Sequence, residues 1–171
     1  MLKWLNGDVS DKGRIGITFG CMDLLHAGHL HYLEQAKSLG DYLTVVVAHD
    51  DTVRKRKHEP VTGQDLRRRM VEGLKPVDEA VVGNSPDVPI FDILPRVKPD
   101  IIALGYDQEH AEEKIRSYLA NNGFENIKVT RVEGLTDDLD GTRKIIAKKS
   151  SRLIASDLLN YIGMSLHEIE S

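Results

Sequence analysis

The sequence predicts a single α/β domain built on a mainly parallel, five-stranded sheet. Five short apolar runs alternate with segments of helical periodicity, the pattern of strands joined by crossover helices. The second run, residues 42–48, is almost continuously apolar and rich in β-branched residues, as expected for a strand buried on both faces of a parallel sheet. A chain of 171 residues suffices for one well-buried core and is short for two ordinary domains.

Composition and charge narrow the class of protein further. The chain is 40% hydrophobic and 29% charged with a formal net charge of −4, which predicts no general attraction to nucleic acid. The single cysteine, Cys21, excludes an internal disulfide framework and fits a reducing compartment. No apolar run approaches the ~20 residues that span a bilayer, and no signal peptide precedes the first strand. We therefore expect a cytoplasmic protein that binds neither nucleic acid nor membrane.

The first half of the chain contains a lead-in, two strands, a charged loop and two helices. The lead-in covers residues 1–13, the strands residues 15–19 and 42–48, and the loop residues 50–58. One helix starts after Gly28 and ends near Gly40, a typical C-terminal glycine. The other opens at Thr62 and stops at Pro76, because proline cannot continue a helix.

The second half is predicted to contain the remaining three strands with helices between them. An entry turn and the third strand together cover residues 75–83. The fourth and fifth strands cover residues 101–104 and 127–132. Between them lie a short helix at 88–97, interrupted at Pro95, and an amphipathic helix at 109–122. A last apolar stripe in residues 147–171 has helical spacing and fits packing on the domain or on a second subunit.

Three polar residues mark the joint where the first strand turns into a helix: Asp23, His26 and His29. Free N–H groups and the positive end of the helix dipole make such a helix N-terminus an anion site, and two histidines add donors. Gly20 and Gly28 allow a ligand to approach the backbone. A phosphate chain is the simplest ligand. The alternative, half of a metal site, lacks a convincing second pair of ligands elsewhere in the sequence.

Two further segments should lie at the same edge of the sheet. Gly105 and Asp107 directly follow the fourth strand, repeating the strand-then-glycine pattern beside the histidines, and Asp107 could contact a base, a ribose or the acceptor. A basic run, residues 54–57, follows the second strand. Such a run is usually a solvated surface, but its place at the end of a parallel strand favours a ligand site.

Residues 20–29, GCMDLLHAGH, resemble the His-x-Gly-His signature of the cytidylyltransferase-like nucleotidyltransferases. The aspartate, both histidines and both glycines are in place, whereas Cys21 and Met22 stand where threonine and an aromatic residue are common. The resemblance covers roughly residues 14–147 and implies a Rossmann-like three-layer α/β sandwich. It makes residues 148–171 a helical extension packed on the domain or a partner subunit, and homodimers are common in the family.

The resemblance also implies site residues. Four would be catalytic: His26, His29, Lys57 and Arg67. The nucleotide and its phosphates would contact a wider set, namely Phe19, Gly20, Cys21, Asp23, Gly28, Gly105, Asp107, Arg131, Thr142 and Arg143. The histidines would hold the α and β phosphates. The outer phosphates would be held by Lys57, Arg67 and Thr142 or Arg143, and Mg²⁺ would bridge the phosphates. Five residues, 136–140, are inserted where many relatives have none, so the alignment of Thr142 and Arg143 stays open.

The segments after the histidines are most similar to the archaeal FAD synthase branch, which implies ATP and FMN as substrates. The pattern LGYDQ at residues 104–108 carries much of that similarity. Two alternatives keep the same phosphate site: a cytidylyltransferase acting on glycerol 3-phosphate or a related phospho-alcohol, and an adenylyltransferase acting on a sugar phosphate. A non-catalytic nucleotide sensor is a contrasting class, which the presence of both histidines, Lys57 and Arg67 disfavours.

Overall fold

The computed structural model describes residues 12–106, 108–135 and 145–151. The helices and strands alternate as β1 (Ile15–Gly20), α1 (Ala27–Ser38), β2 (Tyr42–Val47), α2 (Asp50–Arg56), α3 (Gln64–Glu72), β3 (Glu79–Val82), a 3₁₀ turn (Ile90–Ile93), α4 (Leu94–Val97), β4 (Ile101–Leu104), α5 (Glu109–Asn121) and β5 (Lys128–Arg131). Residues 145–151 are also helical. Within these ranges no helix has the length and apolar character needed to cross a membrane.

The five strands pair in parallel in the order β3-β2-β1-β4-β5, which confirms the predicted sheet. The chain moves outward from β1 to β3, then returns to the other side of β1 to add β4 and β5. Ligands in open α/β sheets bind outside the carboxyl ends of the strands at such a reversal. The ends of β1 and β4 are therefore the expected position of a binding crevice.

Apolar side chains cover both faces of the sheet. Alternate residues of β2 point to opposite faces: Val45 and Val47 join a cluster with α1 and α3, whereas Val46 joins a cluster with α4 and α5. All three are at most 2% exposed, and burying one such side chain stabilises the fold by about 1.5–3 kcal/mol. The sheet is thus the middle of three layers, as a Rossmann-like fold requires.

The segment after β2 differs from its prediction as a charged loop. Residues Asp50–Arg56 form α2, which begins almost at once after the strand, with His49 Nδ1 accepting a hydrogen bond from Asp51 N at 3.2 Å. Its first turn is acidic and its last turn basic, so the charges that suggested a loop complement the helix dipole instead.

The short helix predicted at 88–97 also differs in detail. It consists of a 3₁₀ turn followed by α4, and Pro95 lies in the first turn of α4 rather than interrupting a helix. Proline fits there because first-turn N–H groups have no intrahelical acceptor. The apolar stripe predicted within residues 147–171 begins at Leu153 and lies outside the described residues, which end at residue 151.

Candidate active site

The turn between β1 and α1 is shaped by Met22. This residue has a left-handed backbone, φ 53°, and is only 1% exposed. Holding a non-glycine residue in that conformation costs about 1–2 kcal/mol, which the burial of the side chain in the core offsets. A Cβ added at Gly20 would lie 2.5 Å from Met22 Cε, so the glycine leaves space for the methionine methyl group. The packed side chain fixes the start of the turn that carries the histidines.

The two histidines lie together at the start of α1. The carbonyl oxygen of His26, the N-cap residue, accepts hydrogen bonds from His29 N at 3.0 Å and Leu30 N at 3.2 Å. The two imidazole centroids are 3.9 Å apart. His29 Nδ1 is buried and has no hydrogen-bond partner among the described residues. The N–H groups of Ala27 and Gly28 lie in the first turn, where intrahelical acceptors are lacking, so the rings and these groups together have the chemistry that binds anions.

Lys57 contributes to the same site from the end of α2. Burial, together with the nearby charges of His26 and Lys57, lowers the pKa of His29 to about 4. His29 is therefore neutral near pH 7 and donates a single ring N–H. Burial raises the pKa of the Cys21 thiol, and the charges of Lys57 and Arg67 partly counteract this increase. The structure thus places Lys57 close enough to His29 and to Cys21 for its charge to affect both groups.

Arg67 occupies a different position from the one predicted. Its side chain is completely buried, and its guanidinium donates hydrogen bonds to three acceptors within the protein. Nε donates to Thr62 O at 2.8 Å, Nη1 to Cys21 O at 2.5 Å and Nη2 to Asp50 Oδ1 at 2.6 Å. A phosphate cannot reach a group without accessible surface, so the structure does not agree with Arg67 as a direct phosphate ligand.

Asp23 also serves the protein framework rather than a ligand. The residue is 6% exposed, and its carboxylate accepts hydrogen bonds from Val61 N at 3.0 Å and Thr62 N at 2.9 Å. His58 Nδ1 lies 3.8 Å from the same carboxylate. Because a carboxylate repels phosphate, the predicted nucleotide contact is corrected to a structural one: Asp23 fastens the segment between α2 and α3 to the histidine turn.

The opposite side of the crevice follows β4 and β5. Gly105 N donates to Gln108 Oε1 at 3.2 Å, and Tyr106 is 55% exposed. A Cβ added at Gly134 would lie 2.7 Å from Tyr106 Cδ1, so the glycine allows the ring to contact the segment after β5. Arg131 ends β5, with Nε 3.9 Å from Glu112 Oε2. Three predicted contacts lie outside the described residues: Asp107, Thr142 and Arg143.

Phe19, near the carboxyl end of β1, is partly buried and packs against an apolar cluster. Its ring packs edge-on against Phe91 at a centroid distance of 5.9 Å, and Phe91 in turn contacts Tyr118 at 4.8 Å. The aromatic row joins β1 to the 3₁₀ turn and α5 on the second face of the sheet. Phe19 therefore supports the end of β1 through packing, and because the residue is only partly buried, its nucleotide contact stays a prediction.

The described residues do not form a resident metal site. None of their histidine, cysteine, aspartate and glutamate side chains form a group of three that could hold a metal ion. The carboxylate of Asp23 already accepts hydrogen bonds from two backbone N–H groups, and that of Asp50 accepts one from Arg67. A divalent ion at this site would thus depend on ligands other than these carboxylates, such as the oxygens of a bound phosphate chain.

The comparison with protein families decides the classification. A family model described as cytidylyltransferase-like matches residues 17–161. The chain belongs to the cytidylyltransferase-like family. Among curated members, the FAD synthase of Aciduliprofundum boonei is 47% identical over 135 residues, covering 78% of this chain and 89% of the relative. The FAD synthase of Ferroglobus placidus is 44% identical over 142 residues, covering 80% and 91%.

Solved structures of similar proteins agree with this cytidylyltransferase-like fold. The lipopolysaccharide core biosynthesis protein from Thermoplasma volcanium has a TM-score of 0.67 and 36% identity, and the match covers 72% of this chain and 98% of that chain. Pantothenate synthetase from Thermus thermophilus has a TM-score of 0.59 at 15% identity over 92% of this chain and 73% of that chain, which shows a shared fold. The predicted family and fold are both confirmed.

Sequence reasoning did not single out two residues that build this site. Asp50 accepts the buried Arg67 guanidinium, and Gly134 makes room for Tyr106. The available signals were that Asp50 closely follows a buried strand and that Gly134 closely follows the last strand. Neither position indicates by itself which side chain it will meet, since both partners are distant in sequence.

Proposed function

We propose that this chain is an FMN adenylyltransferase, which transfers AMP from ATP to FMN and yields FAD and pyrophosphate. The FAD synthases of Aciduliprofundum boonei and Ferroglobus placidus, similar over most of their length, support this substrate pair. The geometric observation that carries the reaction type is the paired histidines at the start of α1, at the reversal point of the sheet. Such a site binds a phosphate chain with ring and backbone N–H donors.

The reaction needs positioning and charge stabilisation rather than a protein nucleophile. A phosphate oxygen of FMN forms a bond to the α-phosphorus of ATP while the bond to the bridging oxygen of the β-phosphate breaks, so pyrophosphate leaves. We assign His26 and His29, with the first-turn N–H groups of α1, to the α and β phosphates, where negative charge develops. Donors fixed in advance at that position lower the barrier without reorganising during the reaction.

The outer phosphates and the nucleoside require groups from other segments. Lys57 lies near His29 and is exposed, so its flexible ammonium can follow the β and γ phosphates. Gly105 directly follows β4 and Arg131 ends the neighbouring β5, so both lie at the same edge of the sheet. We propose Asp107, Thr142 and Arg143 as the further contacts to the nucleoside and the leaving group. We also propose that Mg²⁺ enters bound to ATP, neutralising part of the triphosphate charge.

A sugar phosphate is the second candidate acceptor. The Thermoplasma volcanium structure, named as a lipopolysaccharide core biosynthesis protein, is 36% identical to this chain, which favours keeping this alternative. An adenylyltransferase for a sugar phosphate would use the same histidines and Lys57, because both reactions release pyrophosphate from the same triphosphate. The acceptor is therefore decided by substrate tests rather than by the phosphate site.

The test is pyrophosphate release from purified protein in a small substrate matrix with Mg²⁺. ATP and CTP are each combined with FMN, glycerol 3-phosphate or a sugar 1-phosphate, and FAD is identified by chromatography and absorbance. We expect release only with ATP plus FMN, in step with FAD formation. Release with CTP and a phospho-alcohol, or with ATP and the sugar phosphate, would replace the proposed acceptor. Tight ATP binding without release from any pair would instead favour a nucleotide sensor.

We further propose that the enzyme works in the cytoplasm as a homodimer. On α3, Leu66 and Met70 are 56% and 42% exposed and lie one turn apart, and nearby Val61 is 72% exposed. These side chains supply apolar surface that a second copy would cover. Size-exclusion chromatography with light scattering tests the dimer directly: a monomeric mass at micromolar concentration contradicts it.

A further inference from the structure

The buried guanidinium of Arg67 joins three separate segments of the chain. Through Nη1 it holds the carbonyl of Cys21 in the turn before the histidines, and through Nη2 it holds Asp50, the first residue of α2. Through Nε it holds the carbonyl of Thr62 just before α3, the helix that carries Arg67 itself. One side chain thus sets the relative positions of the histidine turn, α2 and α3.

Two of these segments lead directly to groups that face the phosphate site. The turn containing Cys21 continues into His26 and His29, and α2 begins at Asp50 and is capped at its other end by Lys57. Because a helix is stiff over a length of seven residues, holding its first residue also limits where its last residue lies. The distance between Lys57 and the histidine pair therefore depends on the bonds that Arg67 makes.

Neighbouring hydrogen bonds fix this arrangement from other directions. Asp50 N donates to Gln64 Oε1 at 2.8 Å, which connects the start of α2 to the start of α3. Asp23 ties the histidine turn to Val61 and Thr62. Burial alone would raise the pKa of Asp50, but the hydrogen bonds from Arg67 and the Gln64 backbone hold it below its usual value. Asp50 is therefore a charged acceptor for the guanidinium near neutral pH.

We propose that Arg67 is a positioning residue, which sets the spacing between Lys57 and the histidine pair and makes no contact with the phosphates. The inference rests on the proposed nucleotidyl transfer at this site. Its basis is the combination of complete burial with three internal acceptors on three segments. Charge-assisted bonds of this kind hold their partners in a defined geometry, and small displacements of catalytic donors have large effects on turnover.

Two conservative substitutions separate positioning from direct contact. Arg67→Lys keeps the charge but cannot reach three acceptors, and Asp50→Asn removes the charge of one acceptor while keeping its shape. Each is compared with the same chemical change at a neighbouring exposed position, Arg69→Lys and Asp51→Asn. The measurements are kcat at saturating substrates and the dissociation constant of inorganic pyrophosphate, measured by calorimetry in the presence of Mg²⁺.

Positioning predicts that turnover falls while pyrophosphate binding is largely kept. We expect kcat to fall by ~10²-fold in Arg67→Lys and by about tenfold in Asp50→Asn, since misplacement by ~1 Å can have an effect of that order. Pyrophosphate affinity should change less than about threefold, because the flexible Lys57 can still reach the ligand. The two control variants should behave as the wild type.

Direct contact predicts a different outcome for each variant. Asp50→Asn would release the guanidinium for the phosphates, so tighter pyrophosphate binding with unchanged kcat would overturn the proposal. An Arg67→Lys variant that binds pyrophosphate more than tenfold weaker with normal kcat would overturn it as well. If thermal unfolding shows that Arg67→Lys does not fold, Asp50→Asn decides the question, because that side chain is 22% exposed and less critical for packing.

These measurements also test the positioning role of Arg67 independently of which acceptor the enzyme uses. Wild-type turnover with an acceptor other than FMN would overturn the proposed FMN activity, and the two variants would then be compared on that acceptor. Pyrophosphate binding is measured without any acceptor. A loss of turnover with retained pyrophosphate binding supports positioning whichever acceptor the wild type uses.

Discussion

The low pKa of His29 predicts that ATP binding is coupled to proton uptake. In the free protein, burial and the charges of His26 and Lys57 hold the pKa of His29 near 4, so the imidazole is neutral at pH 7. A bound phosphate stabilises the imidazolium and raises this pKa. Because the complex then holds more protons than the free protein, the affinity for ATP must increase as the pH falls.

The size of this effect follows from the two pKa values. If the phosphate restores the pKa of His29 from about 4 to its ordinary value of about 6.5, affinity should rise about 30-fold between pH ~7.5 and pH ~5. That factor corresponds to about 2 kcal/mol of binding free energy. The rise begins near the pKa of the complex and would end near that of the free protein.

Isothermal titration calorimetry with Mg²⁺ and ATP, without FMN, measures this dependence. The matched control is His29→Asn, which keeps a polar side chain but cannot titrate, so that protonation of ATP itself contributes equally to both proteins. The wild type should gain affinity over the variant as the pH falls, and titrations in buffers of different ionisation enthalpy should report proton uptake in the wild type. Identical pH profiles for the two proteins would refute the assignment of His29 to the phosphates.

The remaining predictions concern the residues around the histidine turn and the opposite loop. Lys57→Ala should raise KM for ATP about tenfold with a smaller change in kcat, because it removes one exposed charge–phosphate interaction; an unchanged KM in steady-state assays contradicts this role. Met22→Ala should lower stability by about 2–5 kcal/mol in denaturant unfolding, since it leaves a cavity in the core. Gly134→Ala should lower stability by about 1–3 kcal/mol through its contact with Tyr106, and adding Tyr106→Ala should restore most of the loss; equal loss in both proteins would show that the ring is not responsible.

Local patterns predicted the strands and the histidine turn well. In β2, the nearly continuous run of apolar residues is enough to predict that the strand is buried on both faces. At the start of α1, a strand, a glycine and a helical stripe follow one another within a few residues and predict where the helix begins. Such signals require no knowledge of distant contacts. Lys57 was instead predicted through the family resemblance, and the structure places it at the end of α2 near His29.

Long-range contacts account for the parts that were predicted wrongly. The bond between Arg67 and Cys21 joins residues 46 positions apart, and the bond to Asp50 joins residues 17 apart. A motif can indicate that an arginine belongs to a site, but only the packed structure shows whether its guanidinium faces the ligand or the protein. The role of Asp23 could not be predicted for the same reason, because its carboxylate accepts hydrogen bonds from backbone N–H groups that are 38 and 39 residues away.

The distribution of charge explains why the residue that positions this site differs from the residues that would contact the phosphates. Asp50 neutralises Arg67 internally, and burial keeps His29 uncharged, so neither adds a fixed positive charge to the crevice before the nucleotide arrives. Lys57 supplies a mobile charge instead, and His29 takes up a proton more readily when a phosphate is present. A site of this kind avoids burying unpaired cations in the free protein, and its His29 becomes easier to protonate once negative charge is bound. Its selectivity for phosphate therefore depends on how accurately the histidine turn and α2 are held relative to each other, which is the geometry that the buried guanidinium determines.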